Sequence, residues 1–475
     1  MIEFNNRMYP LTFRSAVLKE VSAWIDGVES GSIVGLGGAG KSNLLGLITY
    51  HPELITQYMT KSSSKLMLVS VDLNNLPTND LATFYRTLLR SLYEAGEQWA
   101  RVDFPMVHQV EKLYRQVLRD TDPFVCQTAL RELMFICSQR NIRLVLVLDP
   151  FDQFCQAATT QILDNLRGLR DSFKKNLSYL VGVRRLITYT RDPAELGELH
   201  ELLDMHRCWL GALSKEDAIY VLKQVEETLG ERTLNELEIE QIVEITGGYP
   251  ALLKGVTWWL AKQTISPQET KDWVEGLLAE TSILNRLQEL WEGLTGEEQA
   301  TLKLLQQLLS EEASRKKVTQ RRKKQFDAFT NKNRRILFEL ERKQICVRTE
   351  ERWRLFTPLF AKFIETAQGE GLGRITYNMR QNTFFQNDRE LDKLTLKDKK
   401  LLKHFIEYPY RHCTIDELIG VAWPDDDPGG VSNQTVQHAI YELRKKIEPL
   451  LATPCYLVGK YGQGYRFFPE GAPQR

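Results

Sequence analysis

The chain has 475 residues, 43% hydrophobic and 26% charged, with 62 basic against 62 acidic side chains. That length predicts two to four domains, the composition is that of an ordinary globular protein, and net charge by itself points to no partner. Seven cysteines, widely separated and without a CxxC pair, argue against a disulfide framework or a cysteine metal site, and no segment approaches the ~18 uninterrupted apolar residues of a membrane span. A soluble, cytoplasmic protein with reduced thiols and no membrane partner is expected. Charge is unevenly spread: residues 1–284 sum to about −7, residues 285–370 to about +5 and the remainder to about +2.

From Phe13 to about Tyr189, short apolar strands alternate with helix-period segments, the βαβ pattern of a mostly parallel sheet covered by helices. Strands are predicted at Ser32–Leu36, Lys65–Val71, Leu144–Leu148 and Tyr179–Val183, and long helices at Asp80–Trp99 and Asp122–Gln139. The first strand ends in GLGGAGKS, residues 35–42, followed by a helical Asn43–Tyr50. This is GxxxxGK[ST] in its proper context. Backbone N–H groups of such a loop wrap phosphates, Lys41 reaches the terminal phosphates, and Ser42 ligands magnesium. Gly35, Gly37, Gly38 and Gly40 complete the expected ATP/ADP cradle.

Leu144–Leu148 deliver Asp149 to a strand's C-terminal end, where open α/β sheets bind ligands, so Asp149 is the expected Mg2+ or metal-water residue. Asp152 either orients the attacking water as a general base or caps the following helix. After the next strand stand Arg184 and Arg185, one of which is expected to sense the γ-phosphate, with Arg184 the first choice. From Ser214 to about Gln263 the pattern is helical, interrupted by Gly247-Gly248-Tyr249-Pro250.

The loop at 35–42, the hhhhhD-x-F-D pattern at 144–152, the arginine after the next strand and the GGYP at 247–250 resemble the STAND class of signal-transducing ATPases, relatives of the AAA+ family, over about residues 10–265. The resemblance implies a nucleotide contact for Pro250 in a helical lid and a slow, nucleotide-holding switch. Pro150 departs from the acidic residue that many members carry after the first aspartate, which leaves turnover open.

Residues 285–367, from a helix start at Leu294–Glu298 to a strand-like Ile345–Phe356, look like a winged helix. Within it SRKKVTQRRKKQF is either a phosphate-neutralising run or a solvated helix face or loop. A glycine-rich linker is expected at Gly369–Gly373. The last unit, about 384–470, reads as three helices and two strands joined by a turn containing Gly462. Val436, Ile440, Leu443 and Ile447 form the expected core face of the third helix. Gln434, Gln437, His438, Tyr441, Arg444 and Lys445 fall on or beside the outward face, and Lys460, Tyr461 and Arg466 on the hairpin. LRKKI and GxGYRF make this unit similar to the output domain of OmpR-type response regulators, which implies DNA binding in tandem sites. Glu442 and Asp425–Asp427 add negative charge near that face.

The expectation is a multi-domain α/β chain: a P-loop parallel-sheet ATPase core (1–212), a helical lid (213–284), a winged-helix relay with a basic insertion (285–370), and a linker with an OmpR-type DNA-binding domain (371–475). It reads as an ATP-dependent switch controlling DNA binding as a homo-oligomer. The alternative is an NLR-like sensor in defence or signalling whose terminal winged helix docks a protein partner.

Overall fold

In a computed structural model, the strands that alternate with helices between residues 31 and 209 return to one parallel sheet. The structure describes the chain apart from residues 1, 5–6, 61–64, 227–232, 264–266, 268, 314–319, 350–351, 367–373, 380, 387–388, 425–429, 449–450, 452–453, 461–463, 470 and 472–475. The core strands are β1 (Gly31–Val34), β2 (Lys65–Asp72), β3 (Ile142–Asp149), β4 (Leu177–Val183) and β5 (Arg207–Trp209). They lie in the order β2-β3-β4-β1-β5, and every pair is parallel. Strands β1 and β4 are buried along their whole length, and β3 except at Asp149, as parallel strands covered on both faces must be. The four strands expected are present within two residues at each end; β5 extends the sheet beyond them.

The helix expected at Asp80–Trp99 is two. Asp80 caps Leu81–Glu94 by accepting from the Thr83 N–H, the chain breaks at Ala95, and Gly96–Val117 continues past a kink at Asp103 near Pro105. Proline lacks the N–H and crowds the preceding turn, which accounts for the kink. The helix expected at Asp122–Gln139 runs Pro123–Gln139, with Asp122 as its cap.

Two compact units are present. One comprises Met1–Ile239 and Gly248–Ala261, the other Glu240–Gly247 and Lys262–Arg475. The sheet and the helices Lys215–Glu226 and Pro250–Ala261, the lid, belong to the first. Residues 262–284, expected at the end of the lid, fall in the second, where Thr270–Leu278 packs on Pro358–Thr366.

Within the second unit the middle region runs helix, helix, helix, hairpin: Gly296–Ala313, Gln320–Lys332, Arg334–Arg342, then Cys346–Arg348 antiparallel to Trp353–Leu355. A buried ion pair, Lys343 Nζ to Glu298 Oε1 at 2.6 Å, ties the turn after the third helix to the first. Of the basic run, Arg315, Lys316 and Lys317 lie outside the described residues, while Arg321, Arg322, Lys323 and Lys324 fall in the second helix, with Lys323 and Lys324 exposed. The linker at 369–373 is also outside them.

The C-terminal region opens with a small antiparallel sheet, Ile375–Asn378, Thr383–Gln386 and Arg389–Glu390, that the sequence reading did not predict. Three helices follow: Leu396–Glu407, Ile415–Ala422 and Asn433–Ile447, started by the side chains of Thr395, Thr414 and Ser432. The closing strands Leu457–Lys460 and Gly464–Phe467 pair antiparallel, with His412–Cys413 as a third strand. All seven cysteines are free and buried. Among the described residues, no helix is long and apolar enough to cross a membrane.

Candidate nucleotide site and candidate DNA face

Strand β1 ends at Val34, and the loop 35–40 carries the chain into the helix Lys41–Tyr50, with Gly40 as its cap residue. Gly38 (φ 76°) and Gly40 (φ 89°) take left-handed backbone, which glycine adopts without steric cost. A Cβ on Gly35 would stand 2.4 Å from the Leu210 carbonyl oxygen, so this position too admits only glycine. Lys41 opens the helix, and its Nζ donates to Gly35 O at 2.6 Å. Ser42 is exposed at the helix start, where N–H groups lack intrahelical partners.

Asp149 arrives from the end of β3 and shares a hydrogen bond with Ser42. Burial pushes its carboxyl above the ordinary range, against the Ser42 bond and the Lys41 charge, and Asp72, in register at the end of β2, adds to the upward push. Between β3 and β1, whose following loop leads to Ser42, lies β4. A Cβ on Gly182 would meet Asp149 Oδ1 at 2.3 Å and Leu45 at 2.8 Å, so the carboxylate reaches Ser42 only over a glycine. Gly182 was not singled out in the sequence, and its place inside an otherwise apolar strand was the available signal.

Asp152 lies in the first turn of Phe151–Ala157 but does not cap it; Pro150 is the cap residue, and no side chain bonds there. Both Asp152 carboxylate oxygens instead accept from the Arg184 backbone N–H, at 3.0 and 2.8 Å. Burial pushes its carboxyl up, opposed by that N–H and by the charges of Lys41, Arg184 and Arg185. Asp152 therefore pins the end of β4, and Arg184 leaves it with an exposed side chain.

The lid reaches the loop through the residues of GGYP that lie in this unit. Leu213 N–H donates to Gly248 O at 2.9 Å, Tyr249 Oη donates to Gly37 O at 2.9 Å, and Ala251 N–H donates to Gly38 O at 3.2 Å. Pro250, first residue of Pro250–Ala261, brings its ring within 3.8 Å of the position a Cβ on Gly40 would take. Proline suits that place because its fixed φ matches the first helical turn. Gly35, Gly37, Gly38, Gly40, Lys41, Ser42, Asp149 and Pro250 thus surround one end of β1. A further side chain, missed in the sequence, sits there: Arg14, 7% exposed, which donates to Ala39 O at 2.9 Å and Ala212 O at 3.0 Å.

On the C-terminal domain, Val436, Ile440, Leu443 and Ile447 are fully buried, and Gln434, Gln437, His438, Tyr441 and Lys445 are exposed along the other side of the same helix. Two predicted contacts are placed differently. Arg444 donates through Nε and Nη2 to Leu457 O at 3.0 and 2.6 Å and covers the Tyr465 ring. Arg466 is buried, donates to Tyr410 O and covers the Phe468 ring. Arg444 thus ties the third helix to the wing, and Arg466 ties the wing to the turn before His412–Cys413. Lys445 pairs with Glu442 at 2.7 Å. Lys460 ends a wing strand, with its side chain outside the described residues, as are Tyr461, Gly462 and Asp425–Asp427.

The structure is similar to the Walker-type ATPase PABY2304 of Pyrococcus abyssi (12% identity over 76% of this chain and 99% of that one, TM-score 0.43). It is also similar to the ORC2 protein of Aeropyrum pernix in its ADPNP–ADP complexes (14%, 74% and 91%, TM-score 0.40) and to Cdc6p from Pyrobaculum aerophilum (14%, 75% and 95%, TM-score 0.35). At these scores the reading of the core rests on its own strand order and loop. No curated protein matches the chain by sequence. Residues 389–467 match the family described as "Transcriptional regulatory protein, C terminal". The chain therefore carries an OmpR-type winged-helix domain at residues 389–467, behind a P-loop α/β core with a helical lid.

Proposed function

We propose that the chain is a nucleotide-operated regulator of the STAND class, in which ATP or ADP with Mg2+ at the loop 35–42 controls DNA binding by the terminal winged helix. The observation that carries the reading is the exposed polar face Gln434–Gln437–His438–Tyr441–Lys445, on the third helix of a segment that matches a transcriptional-regulator family. A helix of that kind enters a major groove, where glutamine reads adenine by paired hydrogen bonds. Assembly is as a homo-oligomer, since one short helix gains specificity from paired half-sites.

In the nucleotide site Lys41 and the helix N-terminus hold the phosphates, Ser42 and Asp149 hold the metal, and Arg184 senses the γ-phosphate. Asp152 keeps Arg184 in place, and with both its oxygens on one N–H it is a weak candidate for a general base. That engagement, with Pro150 after Asp149, supports slow turnover and a switch.

The reading is tested by titrating the full chain on genomic fragments. Gln437→Ala is expected to weaken the preferred fragment by about 1–3 kcal/mol with little change on unrelated DNA. Lys445→Ala is expected to weaken all fragments alike and lower the salt slope by about one. No preference among fragments in any nucleotide state contradicts the reading. A second reading, a STAND sensor whose terminal winged helix docks a protein, draws on Arg444 and Arg466 being turned inward and on Lys445 being paired with Glu442.

A further inference from the structure

Three successive carbonyls of the phosphate loop are held from outside the loop. Gly37 O accepts from the Tyr249 hydroxyl, Gly38 O from the Ala251 N–H, and Ala39 O from the Arg14 guanidinium. In a trans peptide the carbonyl and the next N–H point in opposite directions. Fixing Gly37 O therefore aims the Gly38 N–H away from Tyr249, and fixing Ala39 O aims the Gly40 N–H away from Arg14. The peptide between them is occupied otherwise, since the Ala39 N–H donates back to Leu36 O at 3.3 Å. The two peptides steered by side chains are thus the ones whose N–H groups remain for a phosphate.

Such steering is needed because the loop is rich in glycine. A run with Gly37, Gly38 and Gly40 has little intrinsic preference for one set of peptide orientations, and ordering it on binding would cost entropy. Arg14 is built to supply the order. Its backbone is left-handed (φ 55°), its N–H donates to Asp217 Oδ2 at 2.9 Å, and its side chain spans Ala39 O and Ala212 O. Burial lowers its pKa to about 10, which still leaves it charged at neutral pH. Tyr249 differs in belonging to the lid, so its tie exists only while the lid is down on the loop.

We propose that Arg14 and Tyr249 are positioning residues for phosphate binding, each fixing one peptide plane of the loop, and that Tyr249 makes phosphate affinity conditional on lid closure. The proposal rests on the nucleotide reading of the loop and adds its regulation. Linkage then runs both ways: phosphate favours the closed lid, and the closed lid favours phosphate.

The test uses the full chain, well below the unfolding midpoint of each variant, with ATP, inorganic triphosphate and adenosine as probes. Tyr249→Phe removes one hydroxyl and keeps the ring. It is expected to weaken ATP and inorganic triphosphate by the same factor, about 3- to 10-fold, the worth of one hydrogen bond, and to leave adenosine binding unchanged. Arg14→Lys, which keeps the charge but loses the two-pronged tie, is expected to act in the same sense. Unchanged ATP and triphosphate affinity in both variants, with normal wild-type binding, overturns the proposal alone, as does a loss confined to the adenosine-bearing ligands. A wild-type chain that binds neither ATP nor triphosphate overturns the nucleotide reading as well.

Discussion

Gly182→Ala is expected to damage the nucleotide site severely, although it adds a single methyl group. The new Cβ would lie 2.3 Å from Asp149 Oδ1, 3.1 Å from its Cγ and 2.8 Å from Leu45 Cδ1. Strand β4 is buried on both faces and hydrogen-bonded to β1 and β3, so neither backbone moves away cheaply. Overpacking at such a place costs about 1–3 kcal/mol of stability. The larger consequence is chemical, because the group displaced is the carboxylate that hydrogen-bonds Ser42. Magnesium–nucleotide binding is expected to fall at least about tenfold, the equivalent of 1.4 kcal/mol, while metal-free nucleotide binding falls less. Calorimetric titration with and without magnesium checks this, beside an unfolding curve. Equal losses with and without magnesium would assign the effect to general disruption of the sheet.

The second large effect is expected at Glu448, which follows the third helix of the winged-helix domain. Its buried carboxylate accepts from the backbone N–H groups of Cys455 (2.6 Å), Tyr456 (2.9 Å) and Leu457 (2.7 Å). One side chain thereby fixes where the wing starts relative to the helix. Glu448→Ala removes the carboxylate acceptor of three N–H groups on buried Cys455, Tyr456 and Leu457, and at about 1–3 kcal/mol for each bond lost there the destabilisation is expected to reach roughly 3–5 kcal/mol. Glu448→Gln keeps an acceptor oxygen and should lose less. Hydrogen exchange at residues 455–457 reports the change locally: protection lost in the alanine variant and partly retained in the glutamine variant. DNA affinity should fall in the same order, since Arg444 is anchored on Leu457 O.

What was readable in the sequence follows a physical division. Strands β1, β3 and β4 declared themselves because burial on both faces demands near-continuous apolar runs, β2 through its buried stretch Leu66–Val69, and the loop at 35–42 because phosphate cradling demands a fixed pattern of small residues. Strand β5, Arg207–Trp209, has three residues and only one of them buried, too short for a period to show. Helix Gly96–Val117 contains Gly96 and Pro105, which punctuate a sequence even where the fold tolerates them. The sheet at 375–390 is three short strands whose partners are each other.

The site divides in the same way. Residues proposed to act through their own chemistry, Lys41, Ser42 and Asp149, are legible in the sequence. Those that act by leaving room or by holding a neighbour are not: Gly182 matters through a clash it avoids, and Arg14 through carbonyls 25 and 198 residues away. Arg444 and Arg466 show the converse. An arginine in a winged helix has the right chemistry for phosphate, yet here Arg444 donates to the wing carbonyl of Leu457 and Arg466 to the carbonyl of Tyr410, ahead of the strand His412–Cys413.

The central claim is that nucleotide state sets DNA affinity, and the direct measurement is the DNA dissociation constant of the full chain with ATP and with ADP, at one salt concentration. The account predicts affinities that differ by about tenfold or more, a coupling of roughly 1.4 kcal/mol, and a difference that vanishes in Lys41→Ala. Sequence-selective binding with the same constant in ATP, in ADP and in Lys41→Ala would contradict it, leaving a DNA-binding domain that the loop at 35–42 does not control.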